Sequence, residues 1–191
     1  MSIATLIALA LLAATGVYAV MLYNGLVQVK HNVARAWSNI DVLLKQRHDE
    51  LPKLVEACKQ FMKFEQETLA RVMEARARVA TARESGNVGS VGQAEGGLRA
   101  TLGQLFAVAE AYPDLKTDQT FQQLQTRISA LENAIADRRE FYNESVNVNN
   151  VRIEQFPASV LAGLFGFKPA ELLEFQAAEI ADVDLGGLFR S

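Results

Sequence analysis

The chain has 191 residues, half of them hydrophobic, and a formal net charge of -3 at pH 7. The acidic balance argues against a general nucleic-acid binder, so we expect no nucleic-acid partner. The single cysteine, Cys58, excludes an intrachain disulfide. The length, less one membrane segment, predicts a single folded domain.

The chain opens with an apolar segment that we predict to be a membrane anchor over residues 1–22. Residues 3–22 contain no charged side chain and no proline. About 20 apolar residues at a rise of 1.5 Å match the ~30 Å hydrocarbon core of a bilayer. A secretory signal is disfavoured because its apolar core is shorter and follows a basic region. The predicted anchor residues are Ile3, Leu6, Leu9, Leu12, Val17, Val20 and Leu22.

The anchor leads without a helix breaker into a seven-residue apolar pattern at Leu26, Val29, Val33, Ala36, Ile40 and Leu43. This pattern predicts a first helix that is continuous with the anchor and packs into a bundle. We expect this helix to end near residues 48–51, because Pro52 suits the first turn of the next helix. The second helix is then predicted to run to about Glu84.

The glycine-rich segment 85–97 predicts an interhelical loop, because glycine is costly inside a helix. A third helix should follow from about Gln93 and stop before Pro113. A fourth helix, capped by Thr117 or Asp118, should extend to Pro157. No segment has a strand pattern. The predicted fold class is all-α, with the N-terminal transmembrane helix continuous with the first helix of a long antiparallel four-helix bundle over residues 23–157.

An apolar segment at residues 158–175 follows the predicted bundle, and a loosely ordered tail is expected at 176–191. Up-and-down topology predicts that the end of the fourth helix lies near Tyr23, at the membrane surface. The apolar segment either lies along the membrane interface or folds onto the bundle. The interfacial candidates are Phe156, Leu161, Leu164, Phe165, Phe167 and Lys168.

Residue types that carry chemistry do not form a recognisable constellation in the sequence. His31 and His48 are seventeen residues apart, whereas one helix face would bind a metal with histidines three or four residues apart. Cys58 lies in an apolar stripe without an activating neighbour. We therefore expect no catalytic residue, no metal site and no cofactor, and we expect the protein not to be an enzyme.

Several motifs occur between residues 20 and 175. They are YNGLV at 23–27, AWSNIDV at 36–42, LPKLV at 51–55, AYPDLK at 111–116, Tyr142-Asn143 with Val146 and Asn149, and Phe156-Pro157 followed by Gly166-Phe167. Together, and in this order, these motifs resemble the bacterial LemA family. The resemblance implies a single-pass membrane protein with a cytoplasmic or periplasmic helical bundle and a poorly defined activity. It supplies no catalytic residue.

Two positions depart from what the resemblance leads one to expect. Lys53 stands where asparagine is common in the family, and Gln46 where a basic residue is common. Among the motif residues, Trp37 is expected to be a core or interhelix anchor. Asn24 and Asn32 are expected either to face Asn149 and Asn150 or to be solvated.

The resulting functional hypothesis is a LemA-like, non-enzymatic membrane protein that acts by self-assembly and by organising membrane or partners. Small residues four apart, as at Ala4 and Ala8, permit close helix contact in lipid. The expected partners are membrane lipid, further copies of the chain and a possible membrane or envelope protein. The alternative is an adaptor for envelope signalling or membrane-protein quality control, and a third is an unrecognised enzyme.

The expected location is the bacterial inner membrane, crossed once. Lys30 and Arg35 follow the apolar segment, and only the α-amine precedes it. The positive-inside rule then favours a cytoplasmic bundle with the N-terminus outside over a periplasmic bundle.

Overall fold

The computed structural model describes residues 2–175, and within that range the chain is helical and contains no strand. The prediction of an all-α protein is confirmed. The predicted tail at 176–191 lies outside the described residues. The helices are α1 (Ile3–Phe61), α2 (Gln66–Ser85), α3 (Val88–Ala109), α4 (Pro113–Thr117), α5 (Gln119–Glu154) and α6 (Ala158–Phe165).

Helix α1 has 59 residues and joins the apolar segment to the following helix without interruption, as predicted. The prediction that it ends near residues 48–51 is wrong, because α1 continues through Pro52. A proline inside a helix cannot donate to the carbonyl four residues earlier, here that of His48. The Arg76 side chain replaces this donor, with its Nε 2.9 Å from the His48 oxygen. The helix therefore continues without an unsatisfied carbonyl at the proline.

The turn between α1 and α2 lies at residues 62–65, inside the predicted second helix. Met62 is buried at this turn, whereas the neighbouring Phe64 is 95 % exposed. The amide of Glu65 donates to the Met62 carbonyl and closes the turn. Neither glycine nor proline occurs at this position, so the sequence pattern gave no sign of the break.

The predicted loop at 85–97 is also wrong, since only Gly86 and Asn87 separate α2 from α3. Gly86 has a φ of 68°, the left-handed conformation that ends many helices. The Asn87 side chain accepts a hydrogen bond of 2.7 Å from the Ser90 amide and caps α3. The glycines therefore did not prevent a helix here, and the capping residues Gly86 and Asn87 lie seven and six positions before the predicted start at Gln93.

The later boundaries agree with the prediction. Helix α3 ends at Ala109, before Pro113, and α5 ends three residues before Pro157. Asp118 is the cap of α5, where its Oδ1 accepts a hydrogen bond of 2.8 Å from the Phe121 amide.

The chain divides into two compact units. Of the described residues, the first unit comprises 2–41 together with Ala136–Leu172, and the second comprises Val42–Ile135 together with 173–175. Helices α1 and α5 each contribute to both units.

The second unit has one apolar core, to which α1, α2, α3 and α5 contribute and α4 adds Leu115. This is the four-helix packing that the seven-residue pattern predicts. Each fully buried aliphatic or aromatic side chain contributes about 1.5–3 kcal/mol relative to exposure. Members of this core include Leu51, Leu54, Cys58, Leu69, Val72, Leu98, Leu102, Leu105, Phe121 and Ile128.

The first unit has a smaller core around Leu26, which packs against Ala158 and Ala162 of α6. Trp37 is half-buried and its ring lies 5.5 Å from that of Tyr142. It therefore contacts α5, as expected of a core anchor.

Asn24 and Asn32 do not pair with Asn149 and Asn150, so the first of our two alternatives for these asparagines is wrong. Asn24 and Asn32 are exposed, and the buried Asn149 donates to the neighbouring Asn150. Asn150 holds the chain after α6, accepting from the Ala170 amide at 2.9 Å and donating to the Ala170 carbonyl at 3.0 Å. The Tyr142 hydroxyl donates to the Glu171 carbonyl at 2.9 Å, one residue further on.

A glycine in the second unit yields a stability prediction. A Cβ at Gly92 would overlap the carbonyl oxygen of Glu174, whereas a Cβ at Gly97, also in α3, meets nothing within 4 Å. We expect Gly92→Ala to lower the free energy of unfolding by about 1–3 kcal/mol through steric displacement of this segment. Gly97→Ala should raise it by about 0.5–1 kcal/mol through helix propensity. Urea unfolding followed by circular dichroism tests both, and an equal gain in the two variants would contradict the packing.

Candidate membrane-contact surface and a buried ion triad

The N-terminal part of α1 is one helical segment that is long and apolar enough to cross a membrane, judged by length and composition. None of its most apolar window is buried against the described protein. Six of the seven predicted anchor residues are exposed, and Leu22 is half-buried against the core of the first unit. The exposed apolar side chains therefore have no protein neighbours to cover them in residues 2–175.

Helix α6 has two different faces. Its small residues Ala158 and Ala162 are buried against Leu26. The large apolar side chains of Val160 and Leu164, four residues apart on α6, point away from this core, and Leu164 is 75 % exposed. Phe156, two residues before the helix, is 84 % exposed. We call these three residues together with Phe165 the α6 apolar face. Its exposure in water is unfavourable, since a large apolar side chain gains about 1.5–3 kcal/mol on burial.

The interfacial candidates are thus divided by the structure. Phe156, Leu164, Phe165 and Lys168 are exposed, whereas Leu161 and Phe167 are half-buried beside the small core. The alternative in which the segment folds onto the bundle holds for one face of α6, which packs on Leu26 of α1, and the other face of α6 stays open. Contact of the open face with lipid stays a prediction.

Aromatic rings fix the end of α6 against α1. The Tyr23 ring centroid lies 4.8 Å from that of Phe165 and 5.9 Å from that of Phe167, both in edge-on arrangements. Gly166 separates the two phenylalanines with a φ of 68°, so the chain can turn and place both rings on Tyr23. Such ring pairs contribute about 0.5–1.5 kcal/mol beyond their buried area. Ile153, in the last turn of α5, packs against the core around Leu26, so the end of the predicted fourth helix lies close to Tyr23 along α1. Its position at a membrane surface stays a prediction.

Helix α5 leaves a second apolar stripe exposed in the first unit. Phe141, Val148 and Val151 are exposed, and their spacing of seven and three residues places them on one side of the helix. We call these residues the α5 stripe. The spacing is the one by which a further helix packs against such a stripe.

The second unit contains a buried ion triad that we did not predict from the sequence. Arg47 of α1 donates from its two terminal nitrogens to Glu95 of α3 and Glu132 of α5. The side chains of Arg47 and Glu95 are each 1 % exposed, and that of Glu132 is 18 % exposed. One guanidinium therefore joins three helices of the same core.

Burial and the neighbouring charges change the pKa values of Glu95 and Arg47 in this triad. Burial raises the pKa of Glu95, and the neighbouring Arg47 charge opposes this effect without cancelling it. For Arg47, burial acts to lower the pKa, but the two carboxylates outweigh it and the pKa is raised. Within the described residues, Nε of Arg47 and Oε1 of Glu95 are buried without a hydrogen-bond partner. The triad is held by complementary charge, and its stability depends on every member being present.

The sequence did contain a sign of this triad. Arg47 occupies the position seven residues after Ile40 in the apolar pattern, and Glu50 continues it. Glu50 is also buried, between Lys53 and Arg127 at 3.2 and 3.1 Å. A charged residue in a core position predicts a buried partner, but the partners lie 48 and 85 residues away, and their identity needs the fold.

Cys58 is fully buried, and burial raises the pKa of its thiol to about 12. A thiol with this pKa carries almost no thiolate at neutral pH, and the thiolate is the nucleophilic form. Cys58 is buried in the core, as its place in the apolar stripe predicts. Among the residues that the structure describes, no group of three or more His, Cys, Asp or Glu side chains could hold a metal ion.

These features define an all-α protein with one helix able to cross a membrane and with apolar surfaces next to the end of that segment. The sequence model of the LemA family matches residues 36–185. This match covers more than half of the chain, and the chain belongs to the LemA family.

Curated relatives agree with this assignment. Magnetosome protein MamQ 2 of Paramagnetospirillum magneticum is 27 % identical over 181 residues, covering 83 % of this chain and 66 % of the relative. Magnetosome protein MamQ of Magnetospirillum gryphiswaldense is 26 % identical, covering 79 % and 64 %. Protein LemA of Metamycoplasma hominis is 26 % identical over 162 residues, covering 85 % and 72 %. The chain thus spans about two thirds of the length of the MamQ relatives.

The ion triad leads to a prediction with an internal control. Arg47→Met would leave Glu95 buried without its counter-charge, and we expect a loss of about 3–5 kcal/mol in the free energy of unfolding. The triple variant Arg47→Met, Glu95→Leu, Glu132→Leu removes all three charges and should recover most of this loss. Urea unfolding by circular dichroism compares the two. A triple variant that is less stable than Arg47→Met would contradict the assignment.

Proposed function

We propose that this LemA-family protein is a non-enzymatic membrane-anchored helical protein that acts by self-association and by contact with lipid or protein partners. The observation that carries the proposal is the fully exposed apolar segment of α1, with the α6 apolar face beside its end. The anchor crosses the bacterial inner membrane once. The N-terminus lies outside and the helices after the anchor lie in the cytoplasm, following the positive charge at Lys30 and Arg35.

The contacts at Tyr23 support a membrane role for both apolar surfaces. Tyr23 follows the apolar segment directly, so it lies where a spanning helix leaves the hydrocarbon region. Phe165 contacts Tyr23 and is also part of the α6 apolar face. An anchor inserted up to Tyr23 therefore brings this face to the headgroup region. There, burial of its side chains stabilises the association with the bilayer.

Self-association is supported by the α5 stripe. Its three side chains remain exposed after the described helices have packed. Exposed apolar side chains at helical spacing are typical of a surface that another helix covers. A second copy of the chain supplies the same surface, and this suits the two-fold contacts common in homo-oligomers.

The α5 stripe also favours the second candidate, an adaptor that binds a different membrane or envelope protein. The two candidates differ in what covers the stripe, which is a second copy in the first case and another protein in the second. The mass of the purified protein therefore separates them.

Mass photometry of the full chain in mild detergent and in nanodiscs tests self-association. We expect particles of several protomers. The variant Phe141→Ser, Val148→Ser, Val151→Ser should shift the protein to smaller particles, because it removes the apolar area of the α5 stripe. The control, Phe156→Ser, Val160→Ser, Leu164→Ser, removes a similar area from the α6 apolar face and should leave the particle mass unchanged.

A monomer in several detergents and in nanodiscs would contradict self-association. Pull-downs from native membranes, compared between the wild type and the α5-stripe variant, would then test the adaptor function.

A further inference from the structure

A cavity of about 650 Å³ lies in the first unit, between α1, α5 and the turn that follows α6. Its walls combine apolar and basic side chains. The apolar part includes Val27, Val33 and Phe165, and the basic part consists of Lys30, His31 and Lys168.

The basic side chains have no acidic partner in the cavity. Its lining, all within the described range 2–175, contains no carboxylate, and the structure gives neither Lys30 nor Lys168 an ion-pair partner there. The Lys30 Nζ lies 6.0 Å from the centroid of the Phe167 ring, which keeps the ammonium at the cavity wall. Two lysines on one cavity without a counter-charge create a positive potential that attracts an anion.

The position of the cavity points to a lipid as the source of this anion. Tyr23, the first residue after the apolar segment, belongs to the cavity wall. Phe165 belongs to the same wall and to the α6 apolar face. An apolar wall next to unpaired lysines fits a molecule with an anionic group joined to an apolar part. A free inorganic anion would not use the apolar wall.

We propose that this cavity binds the phosphate of an anionic phospholipid, with Lys30 and Lys168 as its cationic contacts. The apolar wall at Val27, Val33 and Phe165 contacts the glycerol and the first acyl carbons. The inference rests on the proposed membrane function and deepens it by naming the lipid class and the residues that recognise it.

Native mass spectrometry of the full chain in mild detergent measures this binding directly, with phosphatidylglycerol, phosphatidylcholine and inorganic phosphate as probes. We expect phosphatidylglycerol to bind at least about tenfold more tightly than phosphatidylcholine, since only the former carries net negative charge. Lys30→Gln with Lys168→Gln should weaken phosphatidylglycerol binding by about 30-fold, as expected for two basic side chains at an anionic group.

Matched variants separate the site from general charge and from misfolding. Lys45→Gln with Lys63→Gln removes the same charge from exposed positions outside the cavity and should leave the affinity within about twofold. Lys30→Arg with Lys168→Arg keeps the charge and should retain binding.

Three results would overturn the inference. They are equal binding of the two lipids, an equal loss in both glutamine variants, and displacement of phosphatidylglycerol by millimolar inorganic phosphate, which would assign the cavity to soluble phosphate. The titration in detergent requires neither a bilayer nor an oligomer. It therefore fails or succeeds independently of the mass photometry that tests the proposed function.

Discussion

The hydrogen bond from Arg76 to the His48 carbonyl is the interaction on which the architecture depends. Pro52 cannot supply the donor that this carbonyl needs, and an interior proline costs a helix about 3 kcal/mol or more. The guanidinium of α2 supplies the donor, so α1 runs unbroken from Ile3 to Phe61. The same helix then carries the apolar segment, part of the small core at Leu26 and part of the large core of the second unit.

The two units differ in whether their charged groups are buried or exposed. The second unit buries charge within its core, at the triad of Arg47, Glu95 and Glu132, where complementary partners must be present to offset desolvation. The first unit has its basic groups exposed at a cavity and its large apolar side chains exposed on α5 and α6. The second unit thus buries charged groups next to groups of opposite charge. The first unit carries the surfaces that remain to be covered, and these surfaces support the proposed lipid and protein contacts.

The sequence predicted the parts of the fold that follow from local chemistry. Apolar periodicity predicted the helical class and the continuity of the anchor with α1. Residue type limited the cap of α5 to Thr117 or Asp118, and the structure has Asp118. The prediction of a helix end at Pro52 failed because a residue distant in sequence supplies the missing donor. Arg76 donates to the His48 carbonyl and lies 28 residues along the chain from it. The prediction of a loop also failed at the glycines of α3, since Gly92 allows the Glu174 backbone to approach and this contact is invisible in a local pattern.

The candidate surface was predictable to a similar extent. The composition of residues 156–168 indicated an apolar segment near Tyr23, but not which face would be buried. That depends on the contact of Ala158 and Ala162 with Leu26. The cavity could not be predicted, because it joins residues of α1 and α5 with the turn at Gly166, whose rings pack on Tyr23.

Tryptophan quenching by brominated lipids tests most directly whether the α6 apolar face lies in the membrane interface. In a Trp37→Phe background, Leu164→Trp places the probe on this face. Phe64→Trp places it at an even more exposed position in the second unit. If this face lies in the interface, we expect strong quenching for Leu164→Trp and almost none for Phe64→Trp in vesicles that contain the full chain. Absent quenching for Leu164→Trp, or equal quenching for both, would contradict the interfacial position.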